Sequence, residues 1–488
     1  MASSAHSTLV EEETGGLLET RGIDAVPLTE RWGGPRDLFW MWVGALLNVQ
    51  MVAFGALMIL VGLNLTQSLI VLAIASASWF VAGLLSLSGP ATGTPSLTTA
   101  RAPFGPIGAR ITSVFNWVAM VIFEIVTIVL AVFAGIAILG QMGISGTYVE
   151  LGVVVFVGVI QFCLPVLGHN AILKTLKFLV LPFVVLFAIM VGLTIPKLDL
   201  VTNGPPASFP TVLIGLSVAF SISGFGFMSI MADYSRYLPP DTPRKKHVVW
   251  VALGGIVGSL PLMMFGAMLT TFVNAADPIT ALPEIFPNWF VIPYLVVAMI
   301  QILCLTSVDI YSSGLSLLAA GVKIKRAYAA AIDTAICGVV AAICVFYSVF
   351  YEIVTTLLLF NMVWLAPWGG IMIVDFFLRR SGRYDVKSLF LVRKSLYWSK
   401  GGVRPAAIIA MAVGVVVSLV TINTTVYVGP IANLAGGADT SILVSFLLAA
   451  AVYYVLARRQ VRREDDIVTA TSVSFETPVV DPSLVEVD

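Results

Sequence analysis

Twelve stretches of this chain are each long and apolar enough to cross a lipid bilayer as a helix, and that excludes most architectures at once. A crossing helix needs about 20 mostly apolar residues. Windows read on that basis fall at 37–63, 66–88, 110–139, 148–168, 173–195, 210–233, 247–274, 290–320, 326–347, 352–378, 405–424 and 439–457. Backbone polar groups in lipid must be satisfied within the protein, so runs of this length predict helices. Charge agrees: only 11% of residues are charged, against about 25% in soluble domains. The formal net charge of zero leaves no basic face for nucleic acid. Cys163, Cys304, Cys337 and Cys344 lie in apolar runs without metal-ligand spacing and read as small hydrophobes.

The basic residues orient the chain. With both termini cytoplasmic, 26 of the 27 Lys and Arg fall in the N-terminal tail, the inside loops or the C-terminal tail, and only Lys197 lies outside. Such a partition follows the positive-inside rule and supports the even count of spans and the orientation; the expected location is a plasma membrane, the inner one in a bacterium. The richest loop, 379–404, reads as a topogenic charge cluster rather than a lipid-regulated site. Residues 1–35 carry Glu11, Glu12, Glu13 and Glu19, lack the apolar core of a signal peptide, and read as a cytoplasmic tail. The 458–488 tail is read as cytoplasmic too, with its acidic part from 464 disordered. No soluble catalytic domain remains, so an enzyme is not expected, nor is a cofactor.

Two spans look breakable. The first carries Gly44, Asn48, Gln50 and Gly55; the sixth carries Gly215 and the run Ser221-Ile-Ser-Gly-Phe-Gly-Phe. A broken helix is tolerated only where it lines a protein-enclosed cavity. These spans open two possible five-helix halves, and glycine-interrupted segments at matching places point to a midplane site. Glycines also permit plain close packing, the competing explanation for either span alone.

Ionisable residues inside a membrane are costly and are functional candidates. Glu124 in span three and Asp309 in span eight sit deepest. Thr306, Ser312 and Ser313 stand three or four positions from Asp309, on one helix face. Phe123 and Thr127 are one turn apart, which sets an aromatic plane and a hydroxyl on one wall. The three histidines, His6, His169 and His247, are not mid-span. A proton relay therefore falls to carboxylates, with Asp309 or Glu124 taking the proton.

Particular runs extend this reading. They are Trp42-Val-Gly-Ala-Leu-Leu-Asn-Val-Gln-Met, preceded by Gly22-Ile-Asp-Ala-Val-Pro; Gly89-Pro-Ala-Thr-Gly-Thr-Pro followed by Ala100-Arg-Ala-Pro-Phe-Gly; and Ala232-Asp-Tyr-Ser-Arg-Tyr-Leu-Pro. With Asp309-Ile-Tyr-Ser-Ser-Gly-Leu and Leu365-Ala-Pro-Trp…Asp375-Phe-Phe-Leu-Arg-Arg, they resemble the nucleobase:cation symporter family one, in its purine–cytosine permease branch, over residues 22 to 400. The resemblance implies an all-α membrane protein of twelve transmembrane helices with the LeuT-type fold. Its first ten form two inverted five-helix repeats with helices 1 and 6 discontinuous. The ten-helix core is then 36–378 (repeats 36–195 and 208–378), followed by the basic loop 379–404, accessory helices in 405–457 and the tail 458–488.

The implied activity is secondary active import of a nucleobase or related flat nitrogen heterocycle, in the cytosine, purine and uracil class, by alternating access. The partners are that substrate, a coupling proton or sodium ion, and the bilayer. Family aromatics that stack on the substrate correspond to Phe123 and Phe227, both Phe where Trp is common, with Phe225 nearby. The family's polar residues correspond to Thr127 and Asp309, where Asn is typical of both places; Gly44 takes the substrate-facing place in span one, with Gln50 as a further hydrogen-bonding candidate. An acid in place of an amide can only accept when ionised, so Asp309 can take two N–H donors or carry the proton. Sodium-driven relatives use hydroxyls before the span-eight amide, where this chain has Leu303-Cys304-Leu305, poor ligands for a hard cation. Thr306 and Ser307 follow as a shifted cation site. Coupling to protons is favoured; the alternative is a sodium-coupled carrier on the same fold for an allantoin- or hydantoin-like ureide, a vitamin or an amino acid.

Overall fold

The computed structural model describes residues 22–166, 169–198, 204–273, 278–322, 324, 326–347, 350–380 and 382–475. Each of the twelve apolar windows falls on a helix or a helix pair. In chain order these are α1 (Pro35–Leu46) and α2 (Val49–Leu60), α3 (Leu65–Ser76) and α4 (Trp79–Ser86), α5 (Gly108–Gln141), α6 (Thr147–Val166) and α7 (His169–Thr194). The second half follows with α8 (Phe209–Ser221), a 3-10 segment Gly224–Ile230 and α9 (Met231–Ser235), then α10 (Arg244–Leu269), α11 (Asn288–Ala319), α12 (Arg326–Tyr347) and α13 (Phe350–Leu378). α14 (Pro405–Thr421) and α15 (Ser441–Phe475) close the chain. Among the described residues the only strand-like feature is an isolated bridge between Asn423 and Val428. Among the described residues nine helices are long and apolar enough to cross a membrane, or ten with the bent α1–α2 pair; Thr147–Cys163 and Pro405–Thr421 are shorter apolar helices.

The helices sort into groups. α1 and α2 pack along α10, which also meets α3 and α4, while the 3-10 segment of the sixth span lies against α4. α5 and α11 form the most extensive helix pair and gather α6 and α12 around them. α13, α14 and α15 make a third group. Spans 1, 2, 6 and 7 thus form one unit and spans 3, 4, 8 and 9 another.

Small residues set the closest contacts. A Cβ on Gly55 would lie 1.7 Å from the Met263 carbonyl oxygen, and one on Gly266 would lie 1.9 Å from that of Val52. α2 and α10 therefore touch backbone to backbone, as membrane helices do where glycine removes the spacer. For Gly55 the packing explanation is the one the structure bears out.

Past the last span, the expectation of disorder from residue 464 is corrected. α15 continues as helix to Phe475, and Glu464 and Asp465 are buried. The reason is charge. Arg379, fully buried, holds Asp375 through two bonds of 2.8 and 3.1 Å and reaches Glu464 at 3.0 Å. Arg404 binds the other Glu464 oxygen at 2.5 Å and the Ala102 carbonyl at 2.6 Å. Tyr453 and Tyr384 hydroxyls complete the shell of Asp375 at 2.7 and 3.2 Å. Two arginines of the basic loop are thus structural ions, not only topogenic charges.

Candidate functional site

The site is made by two helix breaks. In span one, α1 and α2 meet at 66° across Leu47 and Asn48. Asn48 closes both open ends: its side-chain oxygen accepts from the Gln50 N–H at 2.9 Å and its amide nitrogen donates to the Ala45 carbonyl at 2.8 Å. The break therefore costs fewer unsatisfied groups than its depth implies. In span six, α8 stops at Ser221 and the chain passes through Ile222 and Ser223 into the 3-10 segment. Here the glycines are required by close approach. A Cβ on Gly224 would meet the Ser78–Trp79 peptide at 2.4 Å, and one on Gly226 the Ser221 carbonyl at 2.2 Å. Both breaks anticipated from the sequence are present.

A cavity opens between them, lined by Gln50, Met51 and Phe54 of α2, Met120 and Phe123 of α5, Ser221, Ile222, Gly226, Phe227 and Ile230 of the sixth span, and Leu305 and Asp309 of α11. It is mostly apolar with few polar groups, the usual make-up of a small-molecule site. Asp309 is 5% exposed, and among the described residues its carboxylate has no hydrogen bond or ion pair. Gln50 Oε1 is likewise buried without a partner. Unpaired polar groups facing a cavity are ready to be satisfied by a ligand.

Of the residues singled out from the sequence, Gln50, Phe123, Phe227 and Asp309 come together on this cavity. Gly44, Thr127 and Phe225 do not line it. Thr127 donates back to its own helix, to the Glu124 carbonyl at 2.9 Å. Phe225 packs edge-on between Phe220 and Phe446, with centroids 5.2 Å away in both directions. Gly44 is buried in α1, before the break. Glu124 sits behind the cavity, fully buried, with Oε2 3.7 Å from the Cys337 sulfur. Thr306 and Ser307 hydroxyls bond to the carbonyls of Ile302 and Cys304 on their own helix, at 2.9 and 2.7 Å.

Sequence reasoning missed the wall behind Phe227. Trp79 stacks on that ring (centroids 5.1 Å, planes 25° apart), and Trp42 meets both edge-on or tilted, at 5.7 and 5.4 Å. The Trp79 indole lies so close over Gly255 that a Cβ there would sit 2.0 Å from it. The signal was weak: a tryptophan in an apolar span reads as core. Met51, Phe54 and Met120 carry no distinguishing sequence mark either.

A multi-pass helical membrane protein with a cavity between two broken helices has the architecture of a secondary transporter. The chain belongs to the family described as permeases for cytosine/purines, uracil, thiamine and allantoin, whose model matches residues 25–446. It is 28% identical over 463 residues to a protein of Bacillus subtilis (strain 168), YxlA, whose name assigns it to the purine-cytosine permeases; the match covers 91% of this chain and 97% of the relative. Among solved structures, the fold matches Mhp1, a nucleobase-cation-symport-1 family transporter, in a closed conformation with bromovinylhydantoin bound. The TM-score is 0.73 at 19% identity, covering 93% of this chain and 97% of that one. The inward-facing conformation of Mhp1 matches with a TM-score of 0.64 at 18% identity, over 92% and 96% of the two chains. The protein is a membrane permease of this family.

Proposed function

We propose that the protein imports a flat nitrogen heterocycle of the cytosine, purine or uracil class across the plasma membrane, coupled to protons, with both termini in the cytoplasm. The observation that carries this reading is the unpaired Asp309 carboxylate and Gln50 amide oxygen, facing one cavity with the Phe123 and Phe227 rings. The rings offer stacking faces. Asp309 accepts N–H donors from the ring edge, and Gln50 can accept or donate beside it. Gly44, Thr127 and Phe225 shape the helices that carry the site.

Proton coupling is supported by the cation chemistry. Thr306 and Ser307 bond to their own helix, and Leu303, Cys304 and Leu305 offer no hard oxygen beyond the backbone. The acids Asp309 and Glu124 are the candidates for the proton. The inverted repeats, 36–195 and 208–378, are supported by the pairing of spans 1 and 2 with 6 and 7, and of spans 3 and 4 with 8 and 9. A cyclic ureide is the second reading for the substrate, since the structural relative Mhp1 holds a hydantoin.

The test is uptake of cytosine, hypoxanthine, uracil and allantoin into vesicles holding the full chain, with proton and sodium gradients imposed separately. Concentrative uptake of a nucleobase under the proton gradient is expected, and its loss in Asp309→Ala with expression and folding kept. Normal uptake in that variant would sink the assignment of Asp309.

A further inference from the structure

Behind the cavity wall, three membrane helices bring a second polar cluster together. Glu124 of α5 and Asp333 of α12 are both 0% exposed. Ser313 of α11 stands between them: its hydroxyl bonds to Asp333 Oδ2 and also reaches Glu124. The Trp117 indole N–H donates to Asp333 Oδ1 at 2.8 Å. Glu124 is treated differently. Among the described residues its Oε1 has no hydrogen-bond partner, and its Oε2 meets the weakly donating Cys337 thiol at 3.7 Å. The titratable groups acting on Glu124 are Asp333 and Cys337 on α12 and Asp309 on α11. Among the described residues no Lys or Arg pairs with any of these three acids.

Two carboxylates with no counter-ion cannot both stay charged in a dry helix bundle without heavy cost. Their surroundings divide the roles. Asp333 has a donor beside each oxygen, the Trp117 indole and the Ser313 hydroxyl, which favour its anion relative to that of Glu124. Glu124 has an orphaned oxygen that a proton would satisfy, and pairs of acids with such unequal environments separate into a fixed anion and a proton carrier.

We propose that Glu124, Ser313 and Asp333 form a proton-binding site separate from the substrate acid Asp309, with Glu124 gaining and losing the coupling proton and Asp333 holding it as a positioning anion. This rests on the reading of the protein as a proton symporter. A proton arriving from outside forms an O–H bond on Glu124 and is released to the cytoplasm after the inward turn. Asp309 is then left for the substrate. Because Ser313 lies one turn along α11 from Asp309, substrate engagement and proton loading act on a single helix, and the pair is set to be coupled.

The test has a substrate-free arm and a transport arm. In the infrared spectrum of the unliganded full chain, a protonated-carboxyl band is expected that bleaches at alkaline pH and shifts with isotope-labelled glutamate but not with labelled aspartate. It should vanish in Glu124→Gln, and in Asp333→Asn it should persist with an altered titration midpoint. The absence of any protonated-carboxyl band that shifts with labelled glutamate overturns the site, and this arm needs no variant to fold. An Asp333→Asn midpoint equal to that of the wild type removes Asp333 from it. In vesicles, the ratio of proton-driven accumulation to counterflow exchange, read with cytosine or hypoxanthine, should fall roughly ten-fold in Glu124→Gln. A wild-type ratio in that variant overturns the coupling role. Absence of counterflow with every nucleobase in the wild type sinks the substrate reading instead, and leaves the infrared result to stand or fall alone.

Discussion

Asn48 and Trp79 are residues whose work is invisible in the composition of their spans. Asn48 ties off both ends of a broken helix with two hydrogen bonds. Its replacement by Ala should cost about 1 kcal/mol, as loss of a helix N-cap does, read as a lower thermal midpoint in detergent, with Asn48→Asp losing less because the accepting oxygen remains. Trp79 holds the back of the Phe227 ring. Trp79→Leu removes an aromatic pair of about 0.5–1.5 kcal/mol, so KM for nucleobase uptake should rise roughly two- to ten-fold. An unchanged KM would mean that Phe227 keeps its pose without the indole.

At the scale of helices, the glycines divide by what lies opposite them. Gly55 and Gly266 let the α2 and α10 backbones touch, so Gly55→Ala should force those helices apart, at about 1–3 kcal/mol, the usual cost of overpacking. Gly152 of α6 has open space where a Cβ would go, and Gly152→Ala should leave the thermal midpoint near the wild type or raise it slightly. Comparing the two variants in one thermal-shift assay checks the assignment. The same contrast explains the sixth span. Gly224 and Gly226 are needed by neighbouring backbone, which keeps the break open where the cavity lies.

Across the whole molecule, the Arg379–Glu464–Arg404 network joins spans 10 and 12 to the loops after spans 2 and 10. Glu464→Ala would leave the buried Arg404 guanidinium without its carboxylate and take one of two from Arg379, and breaking a buried pair costs about 3–5 kcal/mol. Truncation after Ala457 should destabilise the membrane core just as much, although it removes no crossing residue; a truncated protein with an unchanged thermal midpoint would show the network to be dispensable. Orientation has its own check. Lys197 is exposed and donates to the Ile285 carbonyl at 2.7 Å. In sealed right-side-out vesicles a membrane-impermeant amine reagent should label Lys197 and no other lysine, and the signal should disappear in Lys197→Gln.

The apolar helices and the helix breaks were legible in the sequence because they depend on local quantities: twenty apolar residues in a row, and glycine and amide interruptions. Gln50, Phe123, Phe227 and Asp309 were legible as candidates because span position and motif mark them. What the sequence could not separate were neighbours of like chemistry. Phe225 and Phe227 stand two residues apart in one Gly-Phe-Gly-Phe run, and only the 3-10 turn sends one to the cavity and the other to Phe446. Thr127 satisfies the one-turn spacing from Phe123, yet its hydroxyl bonds to its own helix. Glu124 and Asp333, 209 positions apart, meet only because α5, α11 and α12 pack together, and Glu464 is ordered only because Arg379 and Arg404 converge on it. The chain by itself determined that it must live in a bilayer and where its helices must break, since lipid imposes those terms residue by residue. Which polar groups share a cavity, and which are left without a partner, was decided by tertiary packing, because hydrogen-bond partners deep in a membrane come from other helices.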